Sequence, residues 1–272
     1  MDPRELLLYG VALPLITTGL LALLLARVLP ARWRGAGEAL ALCAGFLASW
    51  LALEGMPTLP PRLAHEWLAV VAVLGVVTAA LQAAWPALGA LVPAAGCVAA
   101  LLCVGWPPGW SAGERIVPSA AVLALAGLHR WQLGRAPAAE LAWLLPAISG
   151  ATAAALAASG TVTVGHAAGA LACGQTALLV VGRWRAGPAT SGDAASFATL
   201  LLLAHWLVGA WFNELPYSVL VLLAAAPAAY LLPGAPRRLL GRNARTWLAV
   251  LVLAAALGVA LWFRFQTGSS GY

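Results

Sequence analysis

The chain contains no lysine, and charged residues occupy only 9 % of its 272 positions. A soluble domain carries about 25 % charge because its surface must be wetted, so a water-facing fold is excluded. Apart from histidine, every basic residue is an arginine, set in the short loops between apolar runs. The net charge of +6 therefore reads as a topology signal, and no nucleic-acid partner is expected. Cysteine is scarce and unpatterned: Cys43, Cys97, Cys103 and Cys173 lie inside apolar segments with no C-x-x-C spacing. They are read as small packing residues, with no metal centre and no cofactor expected. No stretch between apolar runs exceeds about a dozen residues, which leaves no room for an extramembrane catalytic domain. The start, Met1-Asp2-Pro3-Arg4-Glu5, is acidic where a secretory signal is basic, so the first apolar run is expected to be retained.

What the chain does have is apolar length. It is 62 % hydrophobic with a mean hydropathy of +0.91, in runs near the twenty residues that cross a hydrocarbon core of ~30 Å. The runs are apolar all round, without the alternation of barrel strands, so they are helices. Charge, proline and glycine punctuation give ten spans: 6–29, 38–55, 66–85, 86–106, 115–133, 138–159, 161–182, 194–213, 216–234 and 245–264. The fold class is an all-α polytopic membrane bundle forming a single domain over 1–272, with 268–272 a polar, flexible tail. Many of the thirteen tryptophans fall near segment ends, where indole prefers the headgroup layer. The first partner is accordingly the lipid bilayer.

Arginine placement orients the bundle. With ten spans, eleven arginines share one face and four the other, which sets the first face in the cytoplasm and both termini outside. The fifth span has only thirteen residues between Arg115 and His129. A re-entrant fifth segment would give nine spans and an inverted orientation; a thin crossing with snorkelling arginines gives ten, which is preferred. The expected location is a bacterial-type inner membrane.

Ten spans divide into halves, 1–135 and 136–267, that must be inverted relative to each other if they repeat. Leu13-Pro14-Leu15-Ile16-Thr17 in the first span recurs as Leu145-Pro146-Ala147-Ile148-Ser149 in the sixth, at an offset of 132 residues. Paired proline-interrupted helices are the sequence pointer to a transporter's site, so Thr17, Thr18, Ser149 and Thr152 are the candidate substrate contacts. This plan resembles that of small ten-helix metabolite exporters with five-plus-five repeats. The resemblance is architectural only, and their cytoplasmic termini differ from the orientation read here.

Ionisable groups within a bilayer are costly and mark function by default. Glu54, His166 and His205 are the candidates for a proton or polar relay. His166-Ala167-Ala168-Gly169 and Ala147-Ile148-Ser149-Gly150 resemble fragments of the rhomboid intramembrane protease pattern, which implies a Ser149 nucleophile assisted by His166. Ala147 stands where that family has its first glycine, and no helix separates the two residues. Gly165, Gly169 and Gly174 give the seventh span a small-residue face suited to close packing, and Ala151 through Ala158 do the same for the sixth.

Three functions follow, in order. The first is a carrier of a small, weakly charged or amphipathic solute. The alternative is a non-catalytic subunit that assembles a larger membrane complex through protein partners or self-association, and an intramembrane enzyme comes third.

Overall fold

In the computed structural model, residues 2–88, 91–133, 135, 138–185, 191–230 and 242–268 are described, with side chains left out at 138–141, 230, 242–245 and 267–268. The described residues form helices and no strand. The helices are α1 Pro3–Val28, α2 Ala31–Glu54, α3 Ala64–Ala84, α4 Leu91–Val104, α5 Ala112–Leu133, α6 Ala138–Ala158, α7 Val162–Trp184, α8 Gly192–Phe212, α9 Tyr217–Ala229 and α10 Arg242–Gly268. Six of them, α1, α2, α3, α7, α8 and α10, are long and apolar enough to cross a membrane. The chain is thus an α-helical, membrane-embedded protein. The expected turn at Trp85-Pro86 is present: α3 stops at Ala84 and a 3-10 turn follows over Pro86–Leu88.

Local chemistry explains the ends and the irregularities. Asp2 and Glu5 form a reciprocal capping box at the start of α1, satisfying amides the helix cannot pair. Leu6–Ala12 then winds as a π-helix, and the Leu13 amide donates to Leu8 O. That extra residue per turn falls just before Pro14, whose ring would clash with the carbonyl four residues back in regular α geometry. Gly55, at φ +80°, ends α2 in a conformation a side chain resists. Ser191 caps α8 by accepting the Ala194 amide at 3.2 Å.

Helix α8 is the axle of the bundle. It packs on α2, α3, α4, α5, α6 and α7, and almost all of its length from Ala194 to Trp211 is buried. Helices α1 and α10 lie outside, α1 on α2 and α7, α10 on α6 and α9. In a five-plus-five scheme the counterpart of α8 is α3. That helix packs chiefly on α2, α4 and α8, so the two occupy different surroundings.

The two ends of α8 place its neighbours. At its N-terminal end the Arg130 guanidinium donates to Ser196 Oγ, and Glu38 accepts the Ser191 amide at 2.9 Å. At its C-terminal end Trp211 meets Trp110 edge-on, with ring centroids 5.6 Å apart. Helix α5 therefore runs antiparallel to α8 from one end to the other. Its start is held by Arg115 Nε donating to Trp110 O at 2.8 Å and by Trp106 Nε1 donating to Ser119 Oγ at 2.9 Å. Thirteen apolar residues looked short, but the helix continues through its charged flanks to 22 residues. Not every tryptophan near a segment end faces the headgroup layer: Trp211 is only 7 % exposed.

Glycine sets the closest crossings. A Cβ on Gly165 would lie 3.0 Å from Ala153 O and 3.1 Å from Ala157 N, so α6 and α7 touch backbone to backbone. Gly169 also faces Ala153. Gly174 turns the other way, where a Cβ would lie 3.0 Å from Thr18 Oγ1. The small-residue face of α7 is thus spent within the chain, on α6 and α1.

Candidate functional site

Polar side chains lie buried in the apolar interior on α1, α6, α7 and α8, with α7 packed against both α1 and α6. Thr18, Ser149 and Thr152 are each wholly buried, and Gln175 is nearly so. Ser149 Oγ donates to Gln175 Oε1 at 2.9 Å, joining α6 to α7. One turn along α6, Thr152 Oγ1 accepts from Trp206 Nε1 at 3.3 Å, joining α6 to α8. Trp206 in turn meets the His129 ring edge-on at 5.5 Å, and His129 Nδ1 donates to Ala224 O at 3.3 Å. Thr18 sits beside Gly174 and beside Gly45, where a Cβ would collide with its Oγ1. Neither Thr18 Oγ1 nor Gln175 Nε2 has a partner among the described residues. Buried polar groups without partners are costly, and more so where no water can reach them.

Thr18 and Ser149 both face α7, at the neighbouring positions Gly174 and Gln175. The expected contact between spans one and six is therefore mediated by α7. Thr17 is half-buried beside Thr18. The three relay candidates lie apart. His205 is wholly buried, its Nδ1 donating to Leu201 O at 2.7 Å. Its ring meets Phe46 edge-on at 6.1 Å, Phe46 stacks on Trp50 at 6.1 Å, and Trp50 lies 5.9 Å from His65. Glu54, one turn beyond Trp50, is exposed at the end of α2, and His166 is half-buried on α7. The Phe46–Trp50 stack thus runs from His205 to His65, and no hydrogen bond joins the three candidates among the described residues. Ser149 gives its proton to Gln175, not to His166, which removes the geometry a serine nucleophile requires.

At the arginine-rich end of the bundle, α1, α2, α7 and α8 enclose a cavity of about 450 Å³, with Arg32, Arg34, Arg185, Glu38 and Asp193 among its lining residues. Its apolar wall includes Ala22 and Leu178. These lie four residues from Thr18 and Gly174, one helical turn or about 6 Å of rise. Gln175, Trp206 and His129 were missed by a reading that weighed ionisable groups and hydroxyls. A lone glutamine in the apolar run from Ala167 to Val181 was the signal available for the first.

No protein-family model matches the chain, and no curated protein or solved structure matches it either. Among the described residues no group of three or more His, Cys, Asp or Glu side chains is placed to hold a metal ion.

Proposed function

We propose that the protein is a carrier of a small, weakly charged or amphipathic solute. The observation that carries this reading is a cavity of about 450 Å³ whose wall residue Ala22 lies one helical turn from buried Thr18, in an interior that also holds the buried polar groups of Ser149, Thr152 and Gln175. A carrier needs polar groups inside the membrane that a solute can engage, and partnerless ones such as Thr18 Oγ1 and Gln175 Nε2 gain from an exchange of partners. Pro14 and Pro146 break the backbone ladder of α1 and α6 beside these residues, as in transporters whose discontinuous helices hold the substrate.

In this reading all ten helices cross the membrane, α4, α5, α6 and α9 included, while the different surroundings of α3 and α8 tell against a repeat of two halves. The arginine-rich face, with eleven of the fifteen arginines, lies in the cytoplasm and both termini lie outside. The membrane is an inner membrane of bacterial type. The alternative, a non-catalytic assembly subunit, draws on the scarcity of intramembrane charge and on small-residue packing faces such as that of α7. Because Gly165, Gly169 and Gly174 are covered by α6 and α1, that face is not available to a partner, and the carrier reading is the better supported.

The test is solute flux in liposomes holding the purified chain, with Thr18→Val and Ser149→Ala introduced together. The expected result is loss of flux for at least one solute that the unaltered chain moves. Unchanged flux for every such solute defeats the site assignment.

A further inference from the structure

Five formal charges line the cavity at the arginine-rich face: three guanidinium groups, Arg32, Arg34 and Arg185, and two carboxylates, Glu38 and Asp193. Among the described residues no ion pair joins them. Glu38 accepts the Ser191 amide at 2.9 Å and is also engaged by the Ser191 side chain, with Arg185 close enough to act on its charge, as Arg130 does on that of Asp193. Asp193 lies against the backbone of Gly35, where a Cβ would overlap its carboxylate. The remaining wall is apolar, with Leu25 of α1 and Val181 of α7 facing the same space. The volume falls in the range of small-molecule sites, about 300–1,000 Å³.

A bare anion entering here meets two carboxylates, and a bare cation meets three arginines. A molecule carrying both signs on a short apolar stem satisfies each group and repels none. We propose that this cavity binds an amphipathic zwitterion. A carboxylate or phosphate is held by the arginines, with Arg34 and Arg185 presenting the forked donors such groups favour. A primary ammonium sits between Glu38 and Asp193, and the apolar stem lies along Leu25 and Val181. The same chemistry occurs in a free amphipathic amino acid and in the headgroup of phosphatidylethanolamine. The binding site stands on the cavity alone; that its occupant is the cargo rests on the carrier reading above.

Binding is measured by calorimetry on the purified full chain in detergent. The probes are leucine, N-acetylleucine, leucinamide, dihexanoyl-phosphatidylethanolamine and dihexanoyl-phosphatidylcholine. Saturable binding of leucine, or of the phosphatidylethanolamine, is expected. Analogues lacking one charge or the ammonium hydrogens should bind about ten- to a hundredfold more weakly, the usual loss of a charged hydrogen bond. Leucine binding identifies a free solute as occupant, and binding of the phosphatidylethanolamine alone identifies a lipid headgroup. Glu38→Gln keeps an acceptor for the Ser191 amide, and combined with Asp193→Asn it should weaken the zwitterion by a similar factor. Should those variants fold poorly, the ligand series on the unaltered chain still decides the matter. If neither zwitterion saturates, or if the zwitterion that does bind is matched by its own analogues, N-acetylleucine or leucinamide for leucine and the phosphatidylcholine for the phosphatidylethanolamine, the inference is overturned. Flux separates the two claims. Leucine binding without leucine flux in liposomes keeps the site and removes leucine as cargo, whereas leucine flux indifferent to Glu38→Gln and Asp193→Asn removes the site and keeps the carrier.

Discussion

Gly45→Ala adds one methyl group at the crossing of α1, α2 and α7, where the packing leaves it no space. The new Cβ would collide with Thr18 Oγ1 and come within 2.8 Å of Pro14 O. The second contact is to backbone, so no rotamer change relieves it. Thr18 cannot swing aside freely either, because Gly174 closes its other flank, with a Cβ position 3.0 Å from the same hydroxyl. Helix α1 must move off α2, and overpacking of this kind costs about 1–3 kcal/mol. Because the Pro14 contact is to backbone, the cost falls in the upper part of that range, about 2–3 kcal/mol. Alanine recovers up to about 1 kcal/mol through its helix propensity, so a net loss of about 1–2 kcal/mol is expected, a factor of roughly 5–30 in the folding equilibrium. The assay is unfolding of the purified protein by increasing dodecyl sulfate in mixed micelles, followed by helical circular dichroism. Gly150→Ala is the control: nothing lies within 4 Å of the added Cβ, and it should be neutral or slightly stabilising. Combining Gly45→Ala with Thr18→Ala should recover part of the loss, a coupling of at least about 0.5 kcal/mol. If Gly45→Ala is as stable as the unaltered chain, or if the pair is strictly additive, the crossing is not packed as described.

Other consequences are equally direct. Gln175→Leu strands the Ser149 hydroxyl between α6 and α7 and should cost about 0.6–1.7 kcal/mol, the span measured for interhelical bonds in membranes, in the same unfolding assay. Trp206→Ala empties the axle of the bundle and should cost about 3–5 kcal/mol, with Trp206→Phe losing much less because only the bond to Thr152 is removed. With the four native cysteines replaced, Arg32→Cys should react with an impermeant thiol reagent only from the cytoplasmic side and His65→Cys only from outside. Reaction of both from one side would break the proposed orientation. Ser149 should resist serine-directed phosphonates in intact membranes, since it is wholly buried and bonded to Gln175.

Much of the architecture was legible because bilayer length and the scarcity of charge are properties of composition. The end of α3 before Trp85-Pro86 could be placed closely, whereas α2 starts seven residues earlier and α4 five residues later than their expected bounds. The fifth helix was harder. Its apolar stretch is short, and only the partners of Arg130 and Trp110 at opposite ends of α8 show how far it extends. The burial of Ser149 and Thr152 could be anticipated from their distance to any charged residue. Their partners could not, because which face of α6 meets Gln175 and which meets Trp206 depends on helix rotation, and an all-round apolar helix carries little rotational information. For the same reason His205 on α8 gave no sign of the Phe46–Trp50 stack of α2 that its ring meets. The arginine-face cavity was invisible because Glu38 and Asp193 are 155 residues apart and meet only through the packing of α2 on α8.

The account turns on whether the chain alone moves a solute. The decisive measurement is efflux from liposomes containing only this protein, purified gently and weighed intact, and preloaded in turn with members of a labelled solute panel. The carrier reading predicts saturable release of at least one solute by the chain on its own, weakened when Thr18 and Ser149 are replaced. Liposomes that stay tight to every solute, together with a stoichiometric protein partner in the native extract, would contradict it and pass the function to that complex.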